Sequence, residues 1–290
     1  MEKFKLTLVM LLWGSIGIFT RNIELSPVVL AFLRAIISLP ILTIIIFLKK
    51  SYNNIVFKDM FIYILSGAMI GLAWAALFFG YKNTNVSLAI VIYNMCPVYV
   101  MMLSPLILKE RLSKLQVTII GISFTGLIFV IGLITLDHQH LSGILFSGAS
   151  GILYATIVIM NRKFNSKMDH NLSTLVQMAA ATFVLIPFVL MEGGLNNLIR
   201  LDIKSCVFVL VLGTIHTGIA YNLYFSVYSK LSSMEIASYS YLEPAFGIIL
   251  SMFILHETMT IQQMVGVVLI LGSTYFGEYM RSLKTIRTIE

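Results

Sequence analysis

Ten runs of roughly 20 apolar residues, separated by short polar segments that collect nearly all the charges, leave this chain few ways to fold. A run of that length crosses the hydrocarbon of a bilayer as helix. The runs lie at about 4–22, 25–48, 60–81, 84–108, 115–136, 141–160, 172–191, 205–229, 232–255 and 259–280. They are unbroken and lack the polar alternation of a transmembrane barrel. Of 290 residues 58% are hydrophobic and 11% charged, against about a quarter charged in a soluble domain. The expected fold class is an all-α polytopic membrane protein with ten transmembrane helices, its connections too short to build a soluble domain.

Basic residues near span ends are retained on the cytoplasmic side. With the N-terminus inside, the cytoplasmic segments hold fifteen Lys and Arg, the external segments hold Arg21, Lys82, Arg200 and Lys204, and Arg34 lies within the second span. Both termini are therefore expected in the cytoplasm. The net charge of +7 follows from basic loops facing anionic headgroups, and no nucleic-acid partner is expected. Cys96 and Cys206 fall within spans, where a free cysteine is ordinarily a small buried hydrophobe. No small-residue cleavage site follows the first span, so it is read as a mature helix and not a signal peptide.

Two segments 147 residues apart follow one plan: YNMCPVYVMMLSPLILKERLSKLQ from Tyr93 and SYLEPAFGIILSMFILHETMTIQQ from Ser240. Pro97 falls on Pro244, Glu110 on Glu257 and Gln116 on Gln263. Five spans separate equivalent positions, and an odd number inverts the second copy. The chain divides into residues 1–140, the first five-helix repeat, and 141–290, the second, inverted one. Inverted repeats with interrupted helices suit alternating access around a site near the midplane.

In order, Trp13-Gly-Ser15, Phe32-Leu-Arg-Ala35, the Pro97 to Glu110 spacing, and Leu242-Glu-Pro244 followed by Glu257 resemble the EamA-type members of the drug/metabolite transporter superfamily. The resemblance spans nearly the whole chain. It implies ten helices in two five-helix repeats, and export or exchange of small polar metabolites, amino acids being the class most often assigned. Multidrug or organic-cation and amine export by the same fold is the alternative cargo class. Fold alone does not choose between them.

The polar residues placed at depth are the candidates for a cargo site. Glu243 lies about half way along the ninth span, where a carboxylate must face the bundle interior or a watery cavity. It suits a cation, a substrate ammonium or a coupling proton; a hydrogen bond to backbone loosened by Pro244 is the structural alternative. The repeat pairs Glu243 with Cys96, so the carboxylate belongs to one half only. Pro97 and Pro244 are expected to bend their helices, beside Tyr93 and Asn94 in one and Tyr239 in the other. Tyr239 stands four residues before Glu243 and is expected on its face.

The eighth span carries His216, Tyr221 and Asn222, with Thr217, Tyr221, Tyr224 and Tyr228 recurring at helical spacing. Trp13, Trp74 and Tyr154 lie beside small residues, which pack helices closely, and the aromatics are candidates to line the cavity. Arg34 is suited to a substrate carboxylate or to an ion pair with Glu243, or else snorkels outward and caps carbonyls. An amino acid would offer a carboxylate to Arg34 and an ammonium to Glu243.

An intramembrane enzyme would need a nucleophile with its base, paired acids or metal ligands, and no such motif is present in the sequence. A membrane receptor remains the other non-transport class. The expectation is a secondary transporter, not an enzyme, with no cofactor and no metal. Its partners would be a small-molecule cargo, the lipid bilayer and, if Glu243 titrates during the cycle, protons. One chain supplies both halves, so a functional monomer is expected, in a bacterial cytoplasmic membrane.

Overall fold

The computed structural model describes residues 1–50, 57–109, 111–131, 138–164, 168–193, 202–228, 230–231, 236 and 239–287, and every regular element among them is a helix. In chain order these are α1 (Glu2–Arg21), α2 (Pro27–Lys49), α3 (Phe57–Asn83), α4 (Val86–Tyr93), α5 (Cys96–Ile107), α6 (Lys114–Ile131), α7 (His138–Phe164), α8 (His170–Met191), α9 (Ile203–Gly213), a π-helical segment Thr214–Ile219, α10 (Ala220–Tyr228), α11 (Leu242–Ile254) and α12 (Ile261–Arg287). Among the described residues eight spans are long and apolar enough to cross a membrane, taking Val86–Ile107 and Ile203–Tyr224 through their interruptions, and with the shorter apolar helices Leu242–Ile254 and Ile261–Gly277 they are consistent with ten.

The packing has the two-fold pattern of an inverted repeat. α1 lies against α11 and α10, and α7, its counterpart in the second half, lies against α5, α4 and α3. α3 packs on α8, and the α9 to π segment packs on α2 in the matching way. Two pairs close on themselves across the pseudo-axis, α2 with α8 and α6 with α12. The face holding both chain ends is called the terminal face below, and the opposite one the far face. Glu2 and Lys230 meet at the terminal face with 3.6 Å between charged atoms.

The repeated motif becomes intelligible as local structure. Lys109 and His256, 147 residues apart, both adopt positive φ, 58° and 54°, which ends the preceding helix. Four residues later a capping box opens each copy's last helix. Gln116 Oε1 accepts from Ser113 N at 2.8 Å and Gln263 Oε1 from Thr260 N at 2.9 Å, while Ser113 Oγ and Thr260 Oγ1 accept in return. Glu257 also has a structural partner, given below; Glu110 lies outside the described residues.

Both proline-bearing spans are interrupted just ahead of the proline. The fourth span breaks outright at Asn94 and Met95, and Pro97 stands in the first turn of α5, where its missing N–H removes no intrahelical bond. Pro244 likewise stands in the first turn of α11, after a turn at Tyr241. The turn at Tyr241 interrupts the helix between Tyr239 and Glu243, so their four-residue spacing is not that of one unbroken helix. Tyr239 instead packs with Leu242 in an apolar cluster around Leu6, Val9 and Ala220.

Candidate functional site

At mid-depth the two helix breaks, the π segment and the centres of α1, α2, α3 and α7 surround one polar, aromatic chamber. Trp13 sits 5.2 Å, centroid to centroid, from both Tyr221 and Tyr224, and Trp74 lies 6.5 Å from Tyr221. Tyr93 meets Tyr154 edge-on at 5.8 Å. Trp13, Tyr93, Tyr154, Tyr221, Tyr224 and Glu243 are all half-buried although they lie inside the bundle. Side chains so placed keep part of their surface uncovered only if the space between them is not filled by protein.

Arg34 is 3% exposed and does not snorkel. Its guanidinium carbon lies 4.0 Å from the Trp74 ring centre, within cation–π distance. Its Nε donates to Thr217 Oγ1 at 2.7 Å. The two terminal amino groups make no hydrogen bond or ion pair with the described residues. The Glu243 carboxylate is likewise without a hydrogen bond or ion pair among them. It lies within electrostatic range of Arg34, Tyr81, Tyr93, Tyr154 and Tyr221. The chamber thus holds a guanidinium and a carboxyl group within electrostatic range of one another without a direct ion pair.

The π segment supplies the polar wall facing α1 and α2. In a regular helix a threonine hydroxyl returns to the carbonyl four residues back; here Thr217 Oγ1 reaches Leu212 O, five back, at 2.9 Å. His216 Nδ1 also reaches five back, to Val211 O at 3.3 Å. Its Nε2 lies 2.9 Å from Ser15 Oγ, and its carbonyl accepts from Trp13 Nε1 at 3.1 Å. Phe19 covers the histidine ring edge-on at 4.8 Å.

At the far face, charged side chains tie neighbouring helix ends together among the described residues. Glu257 Oε1 accepts from Val86 N at 2.7 Å, and Oε2 accepts from Ser87 N at 2.9 Å and Ser87 Oγ at 2.7 Å. A carboxylate on the first amides of α4 is a favourable match of charge to helix dipole. Arg21 Nη1 donates to the carbonyls of Tyr81, Lys82 and Thr84 at 2.6, 3.1 and 3.1 Å. Lys82 Nζ donates to Ile23 O at 2.8 Å and also to Leu25 O. Three charged side chains thereby tie the ends of α1, α3, α4 and α11 together.

On the terminal side there is a cavity beside α5, α6 and α12. A cavity of about 660 Å³ runs from Cys96 and Pro97 at the break, past Met101, Val158 and Thr274, to Arg111, Ser113 and Met280 at the rim. Its inner end therefore adjoins the chamber. The arrangement is a polar mid-membrane site with tied helix ends on its far side and a cavity near it on its terminal side.

The EamA-like transporter family matches residues 4–132 and again residues 141–277. The chain belongs to this family. Similar proteins include an uncharacterized transporter of Bacillus subtilis (strain 168), 27% identical over 275 residues that cover 92% of this chain and 86% of that one. A probable amino-acid metabolite efflux pump of Salmonella typhimurium (strain LT2) is 26% identical over 193 residues, covering 62% of this chain and 63% of its own. One solved crystal structure shares the fold at a TM-score of 0.63 and 14% identity, covering 94% of this chain and 96% of that chain.

In this EamA-type protein Trp13, Arg34, Trp74, Tyr93, Tyr154, His216, Tyr221 and Glu243 gather at or around the chamber. Asn94 and Asn222 have structural partners. Asn94 Nδ2 donates to Ile90 O at 2.8 Å, closing the end of α4, and Asn222 Nδ2 donates to Asn171 Oδ1 of α8 at 3.0 Å. Ser15 and the closing trio Arg21, Lys82 and Glu257 escaped sequence reasoning as site-related residues. Their partners lie about 60 to 200 positions away along the chain, and nothing local signals such distant pairing. Tyr228's side chain is outside the described residues.

Proposed function

We propose that this EamA-type transporter exports or exchanges small polar metabolites, amino acids first among them, by alternating access across the cytoplasmic membrane, its terminal face lying in the cytoplasm. The observation that carries the reading is the pair of Arg34 terminal amino groups and the Glu243 carboxyl group, neither of which has a hydrogen bond or ion pair among the described residues. Zwitterionic cargo supplies an opposite charge to each, and a buried charge is tolerable only when something answers it. Amino-acid efflux is also the activity in the name of the Salmonella relative. The tied helix ends of the far face and the cavity on the terminal side fit one state of an alternating cycle, loaded from the cytoplasm.

Organic cations are the second reading, favoured by the Trp13, Tyr221 and Tyr224 cluster, whose ring faces attract ammonium groups. Under it Arg34 would repel the cargo. Neither reading involves an enzymatic step, and a functional monomer is part of the proposal.

The test is efflux from proteoliposomes loaded with labelled amino acids, nucleosides and organic amines under an imposed pH gradient, comparing the native protein with Glu243→Gln. Selective loss of amino acids is expected. Amines leaving in their place would favour the second reading, and retention of every class by folded protein would defeat both. Proton coupling through Glu243 requires the steep pH dependence to flatten in Glu243→Gln; an unchanged profile removes the carboxylate from that role.

A further inference from the structure

The third and eighth spans occupy the same place in the two repeats, and each packs against its partner through two glycines. On α3, Gly67 faces Gln177 and Gly71 faces Ala181; on the eighth span, Gly213 faces Ile37 and Gly218 faces Ile41. The faced residues are four apart in both cases. The glycines are four apart in the first half and five apart in the second. The π segment Thr214–Ile219 falls on this interval, so it accommodates one extra residue while both glycines stay on the packed face.

The extra residue decides where Thr217 points. Without it, regular helix from Gly213 would bring Thr217 to the position that Gly218 fills, and a Cβ there would stand 2.8 Å from the Ile41 side chain. With it, Thr217 turns off the glycine face and receives the Arg34 Nε hydrogen. The position before the second glycine in the other repeat is Ile70, which has no hydroxyl to offer. Only one half of the molecule therefore has this device, and it is the half that meets Arg34.

We propose that Thr217, delivered by the one-residue π insertion, is a positioning residue that holds Arg34 against Trp74 so that its two terminal amino groups face a carboxylate of the cargo. Fixing Nε leaves the end-on edge of the guanidinium, a fork of parallel N–H groups that suits a planar carboxylate bidentately. This rests on the chamber being a cargo site. It adds which group of the cargo Arg34 reads and what aims it.

The experiment measures ligand-induced thermal stabilisation of purified protein, which needs no transport, with the twenty standard amino acids and their matching decarboxylated amines. The native chain, Thr217→Val and Thr217→Ser are compared. At least one amino acid is expected to stabilise the native chain. Thr217→Val, which keeps the shape and removes the acceptor, should weaken that amino acid about tenfold, Thr217→Ser should restore it, and the matching amine should bind all three alike. Equal weakening of amine and amino acid, unchanged affinity in Thr217→Val, or no binding of any amino acid overturns the proposal. If the pattern holds while liposomes show no flux, the positioning role stands and the transport reading fails instead.

Discussion

The two faces of this protein are built differently, the far one around charged side chains that tie helix ends together and the terminal one around a cavity. At the far face three charged side chains, Arg21, Lys82 and Glu257, bond to backbone groups of neighbouring helix ends. At the terminal face a cavity of about 660 Å³ reaches inward to Cys96 and Pro97. The polar chamber lies between them, and among the described residues the faces differ in a few polar contacts at helix ends. A seal made of directional bonds between charged side chains and backbone breaks as a unit and reforms in one geometry, whereas an apolar seal would yield gradually.

That contrast can be broken at Glu257. Hydrogen bonds to charged groups contribute about 1.5–3 kcal/mol each, so Glu257→Gln, which keeps the shape and removes the charge, should shift the balance of open and closed far faces by about 10- to 100-fold. Amide exchange at Val86 and Ser87 should accelerate by that order. In a Cys206→Ser background, labelling of Cys96 by an impermeant thiol reagent from the terminal face should fall, because opening one side closes the other. Faster amide exchange with undiminished Cys96 labelling would mean that the two faces are not coupled.

The open side can be plugged. Met101 lines the cavity, and Met101→Trp should reduce flux roughly tenfold or more while leaving the Val86 and Ser87 amides as protected as before; unchanged flux would place the route elsewhere. A milder effect is expected from Arg21→Met, which leaves three carbonyls at the end of α3 without their donor. The loss should be about 1–2 kcal/mol, read as a lower midpoint in thermal unfolding with faster amide exchange confined to the far face. The smallest effects belong to the capping boxes. Gln116→Ala and Gln263→Ala should each cost about 0.5–1 kcal/mol and, as repeat mates, cost nearly the same; a several-fold disparity would break the symmetry claimed for the two loops.

Much of this was legible in the sequence because bilayer thickness and helix rise fix the length of an apolar run. The repeat was visible through Pro97 and Pro244, and the Gln of each copy carries the local signature of a capping box, Ser113 to Gln116 and Thr260 to Gln263. What stayed hidden depended on tertiary pairing. Arg34 was expected to snorkel, to pair with Glu243 or to hold a carboxylate; its contacts with Thr217 and Trp74 required knowing which helix lies beside α2. A single offset of 147 superposes Gly71 on Gly218 but passes over the change of spacing between Gly67 and Gly213, the one sign of the π segment in the sequence.

The pairing of α6 with α12 bears on how the chain is made. Each of these helices ends its own repeat, and each finds its main partner in the other: Ser123 Oγ meets Ser273 Oγ at 2.8 Å, and Gly126 abuts Gly266. A ribosome that has delivered the first five spans has therefore delivered a half whose last helix still lacks its principal neighbour, with more than 120 residues to go before that neighbour emerges. The nascent first half must wait in the membrane with a small-residue face uncovered, a natural point for insertion machinery or quality control to act.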